Sequence, residues 1–221
     1  MTDRRRLCGA VDPARRRQCL LRQVQYGIDA GVDFLQVREP DLEAGELAAL
    51  VGDIVGRARG SRTAVLVNDR VDVALASGAA GVHLRADSVP AAAVRSITPR
   101  GFVIGKSVHA AEEAVAAAPG VDYLMAGTVW PSASKPTGHR VLGTTALASL
   151  VGAVGVPVLA IGGVTLNRLA DVAASGAAGI AGISLFMSVP EGVSADGCRA
   201  MPLGDLVGAA RRRFDTHGSP F

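Results

Sequence analysis

The chain has 221 residues, 49% of them hydrophobic and 19% charged, and 23 Lys+Arg against 20 Asp+Glu leave a net charge of +3. That length and apolar fraction suit one domain with a substantial core and exclude a mostly disordered chain, while the near-balanced charge gives no basis for a nucleic-acid protein. No apolar run reaches the roughly 18 residues of a membrane span, and Lys106 and Lys135 are the only lysines, so the other 21 cations are arginine.

Arg4, Arg5 and Arg6 open the chain, and the apolar stretch of a signal peptide does not follow them, which makes cytoplasm the expected location. Cys8, Cys19 and Cys198 are scattered without a Cys-x-x-Cys pair and read as reduced thiols with no assigned chemistry. The first expected strand is Leu7–Val11, and Asp12 before Pro13 marks the helix that follows. A phrase then recurs four times, at Ala30–Val37, Ser77–Leu84, Pro119–Ala126 and Ser175–Gly182. In each, the first glycine supplies the positive φ that ends a helix, and the apolar run after it enters a buried strand. Ala64–Val67, Val103–Gly105 and Val158–Ile161 are further strands, continuously apolar as parallel strands covered on both faces are. Ser88 leading to Pro90, and Thr165 after Gly162-Gly163-Val164, mark two more helix starts. The tail from Glu191, with Arg211-Arg212-Arg213, is expected to end in an amphipathic helix. Eight strands alternating with about eight helices predict an α/β fold, a single (β/α)8 TIM-barrel domain over residues 1–221. An open doubly wound sheet is the alternative, against which stands the lack of Gly-x-Gly-x-x-Gly after the first strand.

In a barrel, chemistry sits at the carboxyl ends of the strands. Those ends supply Gln36, Arg38, Glu39 and Pro40, then Asn68-Asp69-Arg70, then His83 with Arg85, Asp87 and Ser88. Lys106-Ser107-Val108-His109, the segment from Gly127 to Lys135, Gly162-Gly163 and Ser184 complete the set. Both lysines fall in it, which points to an anion site. Gly162 and Gly163 precede a helix start, so bare backbone N–H groups there suit a phosphate, with Ser184 as the second half of a cup. Lys135 with Ser132 and Ser134 reads as a flap closing over an anion. Asp69 offers a hard oxygen ligand for Mg²⁺ and Asp87 a second, although Asn68-Asp69 also suits a plain helix cap. Arg38 is either a bidentate phosphate donor or the partner of Glu39. His83 is either a ligand contact or a satisfied core histidine, and His109 reads as structural. No Ser-His-Asp order, His-Glu-x-x-His or Walker loop occurs, so substrate phosphates and a metal supply the leaving group while the protein positions and stabilises charge.

From about Val24 to Phe186, these residues give the chain its resemblance to the thiamin phosphate synthase family and to its relative, the TenI thiazole tautomerase family. Gln36-Val37-Arg38-Glu39, Val67 through Asp72, Gly81 through Leu84, Ile104 through His109, Pro131 through Pro136 and Ala160 through Thr165 carry it, in the family's order and spacing. The resemblance implies joining a hydroxymethylpyrimidine diphosphate to a thiazole phosphate, with Mg²⁺ and loss of diphosphate. Gln36, Arg38, Asn68 and Lys135 match positions that grip the diphosphate or pyrimidine, and Ser107 a residue near the reacting pyrimidine. Asp69 matches a magnesium ligand, Ser132 and Ser134 stand on the flap, and Gly163 and Ser184 match the thiazole-phosphate cup. The implied partners are these small phosphorylated substrates, with no nucleic acid and no membrane, and a homo-oligomer is left open. Three positions depart from the patterns. Pro40 stands where the synthase has a lysine, and Ser88 where it has its second magnesium carboxylate, which Asp87 replaces only if the loop shifts by one residue. Thr128 stands where the tautomerase has a histidine. A tautomerase and a non-catalytic thiazole-phosphate binder are therefore the alternative functions.

Overall fold

The computed structural model describes residues 1–9, 12–132, 135–136, 138–187 and 202–214. In chain order its elements are α1 (Arg4–Cys8), α2 (Pro13–Asp29), β1 (Phe34–Val37), α3 (Ala44–Ala58), β2 (Ala64–Asn68), α4 (Val71–Ala76), β3 (Gly81–Leu84) and α5 (Ala91–Ile97). They continue with β4 (Val103–Val108), α6 (Ala111–Ala117), β5 (Tyr123–Gly127), α7 (Gly143–Gly152), β6 (Val158–Ile161), α8 (Leu169–Ala174), β7 (Gly179–Ala181) and α9 (Leu203–Phe214). Short 3-10 turns occupy Leu166–Arg168 and Ser184–Phe186. The described residues divide into two compact units, one drawn from residues 1–81 and 183–208 and the other from 82–182 and 209–221.

In the first unit β1 and β2 run parallel, with Phe34 opposite Ala64 and Val37 opposite Val67. Leu35, Val37 and Val65 through Val67 are all buried, the continuous burial of strands covered on both faces. Helix α2 buries Leu20, Leu21, Val24 and Ile28, and α3 buries Leu47, Leu50, Val51 and Ile54, each set spaced to form one helical stripe. Asp12 caps α2 by accepting from the Arg15 N–H, and Pro13 takes the first helical position, as the sequence predicts. In the second unit β4, β5, β6 and β7 pair in parallel and in sequential order. Ile104, Leu124, Ala126 and Ala160 form its fully buried centre, covered by Ala114, Leu147, Leu150 and Val172 of the helices.

The recurring joint behaves as expected: Gly31, Gly78, Gly120 and Gly176 have φ of 75°, 68°, 99° and 80°, and β1, β3, β5 and β7 follow them. The predicted C-terminal helix is present as α9, with Leu203, Leu206 and Val207 buried and the arginines in its last turn.

Other expectations need correction. Leu7–Val11 is not a strand, because Leu7 and Cys8 close helix α1, started by Asp3 accepting from the Arg6 N–H; Ala10 and Val11 lie outside the described residues. The described residues therefore hold seven strands, not the eight of a complete barrel. Strand β4 runs on to Val108, placing Lys106 and Ser107 within it. Helix α5 begins only after Pro90, and the Ser88 hydroxyl accepts from the Arg85 N–H instead of capping it. Cys8 and Cys19 are joined in a disulfide between α1 and α2, with Cα atoms 6.3 Å apart, so they are not the free thiols expected; Cys198 lies outside the described residues. No described helix is long and apolar enough to cross a membrane.

Candidate active site

At the carboxyl end of β1, Gln36 is 4% exposed and donates from Nε2 to Asn68 Oδ1 at 2.9 Å. Its own Oε1 is buried without a partner among the described residues. A buried amide oxygen left unsatisfied costs about 1–3 kcal/mol, so this is an acceptor suited to a donor from outside the chain. Asn68 ends β2, and Asp69 follows at φ 61°, a left-handed backbone that Asp tolerates better than most residues. The turn is closed by the Arg70 N–H donating to the Asn68 carbonyl at 2.8 Å.

Arg38 is exposed, and its backbone N–H donates to Thr2 Oγ1 at 2.9 Å. Of its two predicted roles, partner of Glu39 is already filled. Glu39, 3% exposed, accepts from Arg4 Nη1 at 2.8 Å and from the Arg4 backbone N–H at 3.1 Å. The same guanidinium holds both oxygens of Asp41, at 2.8 and 2.7 Å, and Arg5 adds a contact of 2.9 Å. Burial pushes the Glu39 carboxyl up from its usual range against the pull of Arg4. Partial burial also opposes ionisation of Asp41, but Arg4 and Arg5 outweigh it and hold that carboxyl below the usual range. Arg4 was not foreseen, since a run of three arginines gives no sign of which one turns inward. Ser184, at the opening of a 3-10 turn, is exposed.

In the second unit His83, 2% exposed, is held at both ring nitrogens: Nδ1 meets the Tyr123 hydroxyl at 2.9 Å and Nε2 meets Ser107 Oγ at 2.8 Å. The His83 and Tyr123 rings stack with centroids 5.6 Å apart. Glycine at 105 makes room for this, since a Cβ there would lie 2.1 Å from Tyr123 Cζ. Burial, aided by the charge of Asp122, pushes the Tyr123 phenol up, so it stays a proton-bearing donor. A phenol is the better donor and an imidazole nitrogen the better acceptor. With Tyr123 as the donor to Nδ1, Nε2 carries the ring proton toward Ser107 Oγ, and the Ser107 hydroxyl keeps its own proton for another acceptor. His83 is therefore tied to Ser107 and to Tyr123 at once. Tyr123, the one hydroxyl in an apolar run, is a second residue the sequence reading passed over.

Strand β5 ends at Gly127, whose carbonyl accepts from His109 Nδ1. Beyond it, the Val129 N–H donates to the Ile161 carbonyl at 2.9 Å and the Trp130 N–H to the Gly162 carbonyl at 3.0 Å. Gly162 and Gly163 have φ of 94° and 65°, which only glycine adopts easily. Ser132 is half-buried and Lys135 exposed, with the Lys135 N–H donating to the Ser132 carbonyl at 3.0 Å; Ser134 lies outside the described residues. Asp87 is exposed and paired to Arg85 at 2.6 Å.

Among the described residues no three His, Cys, Asp or Glu side chains cluster as a metal cage. Magnesium commonly takes only one or two carboxylates and completes its shell with water and substrate phosphates. Asp69, beside the amide pair of Gln36 and Asn68, fits that donor chemistry; Asp87, already neutralised by Arg85, fits it less well.

Comparison with known proteins gives the following. The family model described as thiamine monophosphate synthase matches residues 7–186. A thiamine-phosphate synthase from Methanospirillum hungatei is 39% identical over 165 residues, 74% of this chain and 80% of that protein. Another from Methanoregula boonei is 37% identical over 191 residues, 86% of this chain and 87% of that protein. The solved thiamine phosphate pyrophosphorylase of Pyrococcus furiosus superposes with a TM-score of 0.74 at 31% identity, covering 91% of this chain and 92% of that one.

Proposed function

The chain belongs to the thiamine monophosphate synthase family, and we propose that it is a transferase that joins a hydroxymethylpyrimidine diphosphate to a thiazole phosphate, giving thiamin phosphate and diphosphate. The bond from the pyrimidine methylene carbon to the diphosphate oxygen breaks, and its electron pair leaves with diphosphate. The lone pair of the thiazole nitrogen then closes a new bond to that carbon. No proton is transferred to form this bond, so the step itself needs no nucleophile–base pair. Charge stabilisation and positioning are the work left to the protein.

The observation that carries this reading is the buried Gln36–Asn68 pair, with Gln36 Oε1 unsatisfied beside it. It is a fixed acceptor for an amino donor on a pyrimidine. Arg38 and Lys135, with Ser132 and Ser134, take diphosphate oxygens in this reading. The Ser107 hydroxyl is the donor to the reacting pyrimidine in this reading, and Gly162, Gly163 and Ser184 receive the thiazole phosphate. Asp69 would hold Mg²⁺, with Asp87 a weaker candidate, and the bound ion would neutralise charge on the departing diphosphate. The parallel strands, sequential within the second unit and alternating with helices, support a TIM-barrel architecture for one domain.

The test is thiamin phosphate formation from the two substrates, with and without Mg²⁺, in wild type and Asp69→Ala. Magnesium-dependent product that is lost in Asp69→Ala is the expected result. Full turnover by that variant would remove the metal assignment. No wild-type product, with thiazole phosphate still bound, would replace the synthase by a tautomerase or a binder.

A further inference from the structure

Trp130 is the chain's single tryptophan and stands two residues before Ser132 on the flap. The Arg168 guanidinium lies over its ring, 4.9 Å from the centroid, inside the range of about 6 Å at which a cation and an aromatic face attract. From Nη1 the same guanidinium donates to the Gly163 carbonyl at 2.6 Å. Arg168 thus holds one residue of the flap root and one of the glycine turn at once.

Backbone contacts between these segments point the same way. Besides the hydrogen bonds from Val129 and Trp130 to Ile161 and Gly162, the two segments approach too closely at the glycines to admit a side chain. A Cβ on Gly162 would lie 2.4 Å from Thr128 Cγ2, and one on Gly163 2.6 Å from the Pro131 carbonyl oxygen. Peptide planarity adds a consequence. The Gly163 carbonyl and the Val164 N–H belong to one unit and point in opposite directions, so fixing the oxygen toward Arg168 fixes the direction of that N–H. A cation on the oxygen also polarises the unit and strengthens the N–H as a donor.

We propose that Arg168 is a positioning residue that clamps the flap root, Val129–Pro131, to the Gly162–Gly163 turn, so that an anion held by either segment favours binding at the other. This rests on the reading above, in which the turn takes the thiazole phosphate and the flap the diphosphate. Coupling of this kind is reciprocal: each ligand tightens the other by the same factor.

Trp130 reports on the clamp directly, and its emission and acrylamide quenching are to be followed in wild type, Arg168→Gln and Arg168→Lys. In the free protein Arg168→Gln is expected to raise quenching, because the ring loses its cover. Titration with thiazole phosphate, and with magnesium diphosphate, is expected to show each ligand tightening the other about fivefold or more in wild type, the low end of typical coupling. In Arg168→Gln that factor falls to one and the KM for both substrates rises, while kcat changes by less than about twofold, the pattern of lost uniform binding. Arg168→Lys keeps the charge but not the planar fork, and is expected to rescue little. Wild-type binding without coupling overturns the proposal. So does an Arg168→Gln protein that melts earlier with both KM values unchanged, since that is merely a structural role. If wild type neither binds thiazole phosphate nor forms product, the synthase reading fails and the coupling with it, whereas unchanged quenching in Arg168→Gln refutes the clamp alone.

Discussion

Arg4→Met keeps most of the aliphatic stem and removes the guanidinium that serves Glu39 and Asp41. Glu39 is 3% exposed, so the variant leaves a buried carboxylate without its cation. Removing one partner of a buried pair costs about 3–5 kcal/mol. Two features place this case at the lower end. The Arg4 backbone N–H, 3.1 Å from Oε1, is retained, and Glu39 escapes the rest of the penalty by taking a proton. Asp41 adds under about 1 kcal/mol, being nearer the surface and still paired with Arg5 at 2.9 Å. The expected loss is therefore about 3 kcal/mol at pH 7.5. Its pH dependence follows from the direction of the Glu39 shift. Burial raises the folded-state value, so this group's contribution is most favourable below the unfolded value and is lost as pH rises through the folded one. Arg4 opposes that rise. Without it the folded value climbs further, and the deficit shrinks as the pH is lowered from 7.5 toward 5. Urea unfolding of wild type and Arg4→Met at both pH values measures this, and adding Glu39→Gln to the variant should flatten the dependence. A loss below about 1 kcal/mol at pH 7.5, or an equal loss at both pH values, would refute the reasoning.

Two further outcomes follow from the His83 network. Tyr123→Phe removes the donor to Nδ1, so kcat should fall with KM nearly unchanged, and stability should drop by about 1–3 kcal/mol. In a Ser107→Ala background the same change should leave kcat where it was, which a double-mutant cycle in steady-state turnover checks. Gly105→Ala places a methyl 2.1 Å from Tyr123 Cζ and should cost about 1–3 kcal/mol in thermal unfolding, relieved when Tyr123 is also replaced by Leu.

The parts of the fold legible in the sequence are those decided within a few residues. Gly31, Gly78, Gly120 and Gly176 end helices because positive φ is cheap for glycine, and Asp12-Pro13 starts α2 through a bond of short reach. Leu7–Val11 shows the same locality in reverse: its apolar residues suit a strand, but the Asp3 cap, outside the run, starts the helix that takes Leu7 and Cys8. Partners distant in the chain left no such local mark. Arg4 finds Glu39 from 35 residues away, and His83 finds Tyr123 from 40. His83 and Arg38 accordingly each kept two readings until their neighbours were placed.

That long-range pairing bears on the departure at Pro40. Taken as a string, Arg38-Glu39-Pro40-Asp41 is one cation beside two carboxylates and a residue that donates nothing, a poor setting for a diphosphate. The folded chain changes the sum. Arg4 and Arg5 fold against Glu39 and Asp41 through contacts of 2.7–2.9 Å, so the two carboxylates are matched by two cations other than Arg38. The charge of Arg38 is then no longer cancelled by its neighbours. Helix α1 thus brings back, from the start of the chain, positive charge that Pro40 does not supply, as backing for Arg38 and not as a donor to the substrate. On this argument Arg4→Met should weaken the diphosphate substrate as well as the fold, by raising its KM more than that of the thiazole phosphate.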